Sequence, residues 1–241
     1  MNNYSRFIHS VLYSLGLMLA VTTLFIFWGS TIGNLGFIRV EEWYGIFSVI
    51  FLYLALLPGA LYPVFPNFPG SAEFRAGRAA LGVLAFFFGL LHSAISFFFL
   101  LQGFRGLLFL SGAYILLLSF GFAALLILTI LAATSLQFFA AMVGNRWKLI
   151  HRFVYLAGML IIVHVFLLGS HFVNLSQLAA QVLFYALLFL FLLQSVRFQN
   201  YIQLRFPRYA AVAGVLITCL FFAVIIWFYV TSGHGHAHHF H

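Results

Sequence analysis

The sequence predicts an all-α fold, a polytopic transmembrane helical bundle of about seven spans. The first observation is composition: 65% of the 241 residues are hydrophobic and 6% are charged, whereas about a quarter of the residues in a soluble domain are charged. The second is a series of continuous apolar runs close to the ~20 residues with which a helix crosses a ~30 Å hydrocarbon core. The third is that every Lys, Arg, Asp and Glu lies between these runs or at their ends.

The apolar runs define the predicted spans, which we expect to form a single transmembrane domain over residues 1–241. The first run is too long for the apolar region of a signal peptide and no small-residue cleavage site follows it, so we expect a retained span. The sixth run is the shortest. The predicted spans cover residues 7–28, 41–62, 79–101, 112–135, 148–169, 177–195 and 209–230.

The loop between the second and third spans contains four of the five prolines in the chain. Because proline lacks a backbone N–H and clashes with the preceding helical turn, we expect these residues to end the second span near residues 57–62. The loop is either a stiff connector or a cytoplasmic docking surface for an electron donor. The four residues are Pro58, Pro63, Pro66 and Pro69.

The basic residues indicate the orientation of the chain. Nine of the 11 Lys and Arg residues lie at the N-terminus or in the loops around the ends of the second, fourth and sixth spans, whereas Arg39 and Arg105 lie in the opposite loops. Positive charge collects on the cytoplasmic side of membrane proteins. We therefore expect the N-terminus inside and the C-terminus outside. The formal net charge of +8 follows from this topology, and we expect no nucleic-acid partner.

Two histidines lie within apolar spans, where an ionisable side chain is costly and usually marks a functional site. His92 follows Arg78 by 14 residues and His164 follows Lys148 by 16, which places them ~21 and ~24 Å from the cytoplasmic ends of the third and fifth spans. Two imidazoles at the same level on parallel helices can be the axial ligands of one haem. The alternatives are a histidine bonded to a backbone carbonyl, or a proton relay; we favour haem.

A third histidine, His151, precedes His164 by 13 residues, or ~20 Å of helix, which suits a second haem nearer the cytoplasm. The two side chains would point about 140° apart on an ideal helix, although Gly158 between them could allow a bend. The third span has no histidine one haem spacing before His92, and His9 in the first span is at a comparable depth. A second haem could be ligated by His151 alone or by His151 and an unidentified group.

Several polar residues near these spans could support a haem. Arg78 and Arg152, and also Arg105, could pair with propionates, because a guanidinium matches a carboxylate well; the distribution of basic residues already accounts for Arg78 and Arg152. Ser93 and Ser96 could orient the histidine that precedes them, as groups behind a ligating imidazole do.

The remaining candidate groups lie near the C-terminus. Cys219 is the only cysteine, so an intramolecular disulfide or a Cys-ligated cluster is excluded. Residues 232–241 form a His-rich tail that is either a weak site for Zn, Cu or Ni or a disordered outward-facing segment. Its histidines are His234, His236, His238, His239 and His241.

Two segments resemble the ferric reductase-like transmembrane domain family. The sequence GRAALGVLAFFFGLLH at 77–92 resembles the family pattern of a basic residue followed by Leu-Gly and Leu-His, and WKLIHRFVY at 147–155 resembles its Trp, Lys and His-Arg segment, with a second histidine 13 residues after the first. Within the family the likeness is greatest to the membrane haem subunits of bacterial periplasmic methionine sulfoxide reductase systems. The resemblance covers about residues 45–195 and leaves the span 209–230 and the tail as additions.

The resemblance implies b-type haem bound by histidines of the third and fifth spans, which makes His92, His164 and His151 the axial ligands of one or two haem irons. Oxidase members of the family supply two pairs of histidines, whereas this sequence supplies three residues. No nucleotide-binding segment follows the seventh span in this sequence, so we expect a separate electron donor. The resemblance also implies the inner (plasma) membrane of a bacterium.

We interpret the chain as a haem-binding membrane protein that transfers electrons from a cytoplasmic flavoprotein or a membrane quinol to an acceptor protein or ion on the outer face. It would be an electron-transfer subunit of a membrane oxidoreductase and could belong to a larger complex. The alternative is a non-redox function, either an accessory or scaffold subunit or a metal or proton transporter that uses His164 and the tail. The spans contain no mid-membrane Asp or Glu, which makes a transporter less favoured.

Overall fold

The computed structural model describes residues 3–30, 35–169 and 177–234, which form helices and short connections with no β-strand among them. A π-helical turn (Ser96–Leu100) follows the third helix, and 3-10 turns (Gly144–Arg146 and Pro207–Tyr209) precede the seventh and tenth. The α-helices in chain order are α1 (Asn3–Ser30), α2 (Leu35–Val64), α3 (Ser71–Ile95), α4 (Phe104–Leu107), α5 (Gly112–Ser135), α6 (Gln137–Val143), α7 (Trp147–His151), α8 (Phe153–Leu168), α9 (Leu178–Arg205) and α10 (Ala210–His234).

Six of the described helices are long and apolar enough to cross a membrane, and a bent pair, Phe138–His151 with Phe153–Leu168, makes up to seven. These helices overlap the seven predicted spans and confirm the all-α, polytopic membrane fold. The orientation of the termini stays a prediction. Residues 235–241 of the His-rich tail lie outside the described residues.

The chain forms two compact units, one of Met1–Pro58 with Gly70–Leu167 and the other of Gly59–Pro69 with Leu168–His241. In the first unit the core lies around Phe88 of α3, which is fully buried. Its ring lies 5.6 Å from that of Tyr44 and 5.4 Å from those of Phe47 and Phe51, all on α2. The Tyr44 hydroxyl in turn donates a hydrogen bond of 2.9 Å to the carbonyl of Ala20 on α1.

This core fixes how α2 lies against α3. The Ser48 hydroxyl donates a hydrogen bond of 2.8 Å to the carbonyl of Ala85, in addition to the ring contacts. Residues four apart lie on one face of an α-helix, so His92 lies on the same face of α3 as Phe88, one turn further along. The packing of Phe88 against α2 therefore brings His92 close to the start of α2.

The fifth predicted span is bent. The segments Phe138–His151 and Phe153–Leu168 meet at Arg152 with a bend of 50°. The backbone N–H of Arg152 donates to the carbonyl of Leu149, and that of Tyr155 donates to the carbonyl of Arg152, so bonds to the third preceding residue interrupt the α-helical pattern there. The bend lies between His151 and His164, as the sequence allowed, but not at Gly158, which lies inside the continuous helix α8.

The second span ends two residues beyond its predicted end near residues 57–62, and two prolines lie inside its helix instead of after it. Helix α2 continues through Pro58 and Pro63 to Val64. In a membrane helix, a neighbouring group can satisfy the backbone carbonyl that a proline leaves without a donor. Pro63 has no N–H for the carbonyl of Gly59, and that carbonyl accepts a hydrogen bond of 3.0 Å from the Arg197 guanidinium.

The second unit contains a helical hairpin of α9 and α10. The chain turns at Pro207–Tyr209, where proline occupies the first position of a 3-10 turn. The rings of Phe191 and Phe221 stack with centroids 6.3 Å apart, and the Gln199 amide donates a hydrogen bond of 2.7 Å to the carbonyl of Ala210.

Candidate functional site

His92 is held by a residue of the facing helix. Its Nδ1 lies 3.0 Å from the backbone carbonyl oxygen of Glu41 and 3.0 Å from the carboxylate oxygen Oε1 of the same residue. A carbonyl oxygen can only accept a hydrogen bond, so Nδ1 carries the proton. The lone pair of the imidazole is then on Nε2, the nitrogen that is available to a metal.

His164 has the same arrangement on another pair of helices. Its Nδ1 lies 3.1 Å from the carbonyl oxygen of Leu117 on α5, so this ring also donates through Nδ1 and keeps its lone pair on Nε2. Ligating histidines almost always donate their other ring N–H to a carboxylate or a carbonyl. Both residues therefore have the tautomer that a metal ligand needs.

The structure brings His92 and His164 together. Their ring centroids are 6.4 Å apart and their planes are inclined by 84°. With metal–imidazole bonds of about 2.1 Å and a centroid about 1.1 Å beyond each nitrogen, two imidazoles on opposite sides of one metal ion have centroids about 6.4 Å apart. The centroid separation of the two rings, on α3 and α8, equals the spacing that two imidazoles would have if they shared one metal ion.

Two glycines make room for the two rings. A Cβ atom on Gly45 would lie 2.9 Å from Nδ1 of His92, and a Cβ atom on Gly121 would lie 2.8 Å from Nδ1 of His164. Real Cβ atoms do not approach other atoms so closely, so any larger side chain at either position would displace the ring that it faces.

The backbone around the carbonyl that each histidine contacts is arranged in the same way. Gly45 follows Glu41 by four residues, and Gly121 follows Leu117 by four. In an α-helix the residue four positions on lies directly over a given carbonyl, so a glycine there leaves that carbonyl open to the imidazole of a neighbouring helix.

Ser96 completes the surroundings of His92. Its hydroxyl donates a hydrogen bond of 2.5 Å to Oε1 of Glu41, the same oxygen that faces Nδ1 of His92. The hydrogen bonds of the described residues thus place Ser96 behind Glu41 rather than against the ring. They assign no such part to Ser93, the other serine that the sequence suggested.

His151 has a different environment. Its ring stacks on Trp147 with centroids 4.1 Å apart, and its Nε2 lies 3.2 Å from the hydroxyl of Thr134. That hydroxyl donates at 2.8 Å to the carbonyl of Ile130, so it accepts from the imidazole. The hydrogen bond occupies Nε2 of His151, whereas Nε2 is the available nitrogen of the other two histidines.

Two of the three predicted arginines, Arg78 and Arg152, belong to the same end of the bundle as His151, whereas Arg105 lies in α4. Arg78 is close enough to act electrostatically on His151, and Arg152 is the residue at which α7 and α8 bend. Arg78 is ~21 Å along α3 from His92, so it is not near the paired histidines. His9 of α1 contacts a different part of α3, where its Nε2 lies 2.8 Å from the carbonyl oxygen of Ala76.

Sequence reasoning missed three contributors to the site: Glu41, Gly45 and Gly121. Glu41 could have been recognised from the sequence, because it is one of only three acidic residues in the chain and lies at the edge of a predicted span. The glycines could not, because 20 glycines are spread along the chain and only the packing shows which of them face a histidine. Among the described residues, no group of three or more His, Cys, Asp or Glu side chains could hold a metal ion.

Comparison with known proteins identifies relatives of this chain. It is 31% identical over 169 residues to the protein-methionine-sulfoxide reductase heme-binding subunit MsrQ of Agrobacterium fabrum, an alignment that covers 66% of this chain and 73% of the relative. It is 32% identical over 129 residues to MsrQ of Xanthomonas oryzae pv. oryzae, with 52% and 56% covered. It is 48% identical over 44 residues to MsrQ of Bordetella parapertussis, with 18% and 21% covered. No family model matches the chain.

Proposed function

Because this chain belongs to the family of MsrQ, the heme-binding subunit of protein-methionine-sulfoxide reductase, we propose that it binds a b-type haem between His92 and His164 and passes electrons across the membrane. Its long apolar helices and its bacterial relatives are those of an integral protein of the bacterial inner membrane. The function is that of an electron-transfer subunit.

The proposal rests on one observation, that the two histidines lie close together and have the same tautomer. Each ring donates its Nδ1 proton to a carbonyl of a facing helix, each leaves Nε2 without that proton, and the two ring centroids lie 6.4 Å apart. A polar side chain in an apolar bundle needs a partner, and a hydrogen bond to a carbonyl would be enough for each histidine by itself. The need for such a partner does not explain why the two histidines lie close together in the same tautomer.

The residues of this chain supply binding, orientation and burial. His92 and His164 offer two nitrogen ligands from α3 and α8, and the carbonyls of Glu41 and Leu117 fix their tautomers and ring planes. Phe88, one helical turn from His92, is fully buried and keeps that side of the site apolar. A bound haem supplies the one-electron oxidation and reduction itself.

The charge distribution and the relatives support the proposed orientation and partners. The basic residues favour an inside N-terminus, which places the paired histidines in the outer half of the membrane. Electrons would enter from a cytoplasmic flavoprotein or a membrane quinol and leave to an acceptor on the outer face. The names of the relatives suggest that this acceptor is the catalytic subunit of a protein-methionine-sulfoxide reductase.

A second haem would lie at His151. Arg78 and Arg152 are then the propionate partners, because both belong to that end of the bundle and a guanidinium pairs well with a carboxylate. Its iron would bind Nδ1 of His151, or it would bind Nε2 after the hydrogen bond to Thr134 is broken. The paired site does not depend on this second haem.

The reduced-minus-oxidised absorption spectrum of the detergent-purified protein, with haem measured per chain, tests the proposal. The wild-type protein should show a b-type α band, and His92→Ala and His164→Ala should each abolish the band of the paired site. His9→Ala is the matched control, because His9 also bonds a carbonyl of another helix but lies outside the pair.

Retention of the full band by both His92→Ala and His164→Ala would contradict the proposal. A colourless wild-type protein from cells rich in haem would favour the accessory or scaffold function instead. The haem-to-chain ratio of His151→Ala, compared with that of the wild type, shows whether a second haem is bound.

A further inference from the structure

Glu41 is a carboxylate in an unusual position. It is one of three acidic residues in the chain, it lies in α2 within the candidate span Gly36–Val64, and its side chain is 14% exposed. A carboxylate withdrawn from water into an apolar bundle is costly unless it is paired. Its described partners are the His92 ring at 3.0 Å and the Ser96 hydroxyl at 2.5 Å.

The carboxylate makes the two paired histidines unequal. Nδ1 of His92 faces both a carbonyl oxygen and the Glu41 carboxylate, whereas the hydrogen bond described for Nδ1 of His164 is to the neutral carbonyl of Leu117. A carboxylate behind an imidazole raises its basicity and its strength as a ligand. His92 is therefore the stronger electron donor of the two.

We propose that Glu41 is a positioning residue that lowers the reduction potential of the site through His92. A more basic axial ligand and a nearby negative charge both stabilise the oxidised iron relative to the reduced iron, and hydrogen bonding to the axial ligand is one of the means by which a protein sets the potential of a haem. This inference rests on the proposed ligation by His92.

Ser96 limits the effect of the carboxylate. Its hydroxyl bonds the same oxygen that faces His92 and so takes up part of the charge that would otherwise act on the imidazole. Ser96 is also the first residue of the π-helical turn Ser96–Leu100, a kind of turn that occurs frequently at functional sites. Removal of this hydroxyl should act in the opposite direction to neutralisation of Glu41.

The test is a spectroelectrochemical titration of the haem-loaded, full-length protein. Glu41→Gln keeps the size of the side chain and removes its charge, so the midpoint potential should rise while the absorption band is retained. Ser96→Ala should lower the potential. Glu42→Gln is the matched control, because Glu42 is the neighbouring acid and lies 3.6 Å from the Arg39 guanidinium; its potential should equal that of the wild type.

Opposite shifts in Glu41→Gln and Ser96→Ala support the inference, since a general loosening of the site would move both in one direction. An unchanged midpoint potential in Glu41→Gln overturns the inference about Glu41. The proposed haem ligation is tested separately, because His92→Ala should still abolish the absorption band in that case. If Glu41→Gln loses its haem, Glu41→Asp is measured in its place. The shorter side chain of aspartate withdraws the carboxylate from the ring, so the midpoint potential should rise. A potential no higher than that of the wild type overturns the inference.

Discussion

Gly45 and Gly121 determine whether the two imidazoles can reach the carbonyls that orient them. Each lies four residues after the carbonyl that accepts the hydrogen bond, and a Cβ atom at either would lie under 3 Å from a ring nitrogen. The contacts are with rings already held by hydrogen bonds, so neither ring can move aside without losing its acceptor.

Gly45→Ala and Gly121→Ala should therefore weaken haem binding. A methyl group forced into a packed site costs about 1–3 kcal/mol, which corresponds to an affinity lower by about 5-fold to 150-fold. Haem titration of the purified apoprotein measures this change. Gly82→Ala is the control, because a Cβ atom there meets nothing within 4 Å; an equal loss in that variant would contradict the steric explanation.

At the same scale, sequence reasoning could place His92 and His164 at one depth, because helical rise alone relates residue number to height in the membrane. It could not identify Glu41, Gly45 or Gly121 as their neighbours. Those contacts depend on which faces of α2 and α5 turn toward the histidines, and the nearly uniform apolarity of these helices gives no periodic signal for a face.

Among the elements, α2 shows how a membrane helix can contain prolines. The carbonyl of Gly59 loses its helical donor at Pro63 and accepts a hydrogen bond from Arg197 instead. The guanidinium is a long, charged donor that can reach this carbonyl from α9 within the same unit. This bond replaces the missing backbone bond near the end of α2.

Arg197→Met should lower the free energy of unfolding by about 1 kcal/mol, the usual net contribution of one hydrogen bond. Pro63→Ala would restore a backbone N–H for the Gly59 carbonyl, so the cost of Arg197→Met should be smaller in the Pro63→Ala background. Denaturation of the four proteins in detergent measures the coupling. Additive effects would show that the two residues do not act on the same carbonyl.

The helices themselves could largely be predicted from the sequence, because their apolar length is set by the thickness of the bilayer. The bend of 50° between Phe138–His151 and Phe153–Leu168 could be expected from the sequence, but its position could not. It lies at Arg152, where hydrogen bonds to the third preceding residue replace the α-helical ones, and not at Gly158, whose lack of a Cβ atom permits a bend but does not cause one.

At the scale of the whole molecule, the distribution of charge predicts how the chain lies in the membrane. Nine of the 11 basic residues belong to the predicted cytoplasmic side, and up to seven spans occur in the described residues. An odd number of spans puts the two termini on opposite sides. The proposed direction of electron transfer rests on this predicted orientation, which would place the paired histidines in the outer half of the membrane.

Fusion reporters should test this orientation directly. Alkaline phosphatase fused after residue 241 should be active, because that enzyme needs the oxidising outer compartment, and a fusion in the loop between α2 and α3 should be inactive. The opposite pattern would reverse the predicted direction of electron transfer without affecting the paired site.

The proposed haem site requires that the imidazoles of His92 and His164 both bind the iron. Chemical rescue of His164→Gly tests this requirement, by the absorption spectrum of the ferric protein before and after free imidazole is added. The variant should lose the spectrum of the six-coordinate haem, and imidazole, which fills the space left by the side chain, should restore it. A wild-type spectrum in the variant without imidazole would show that His164 is not a ligand.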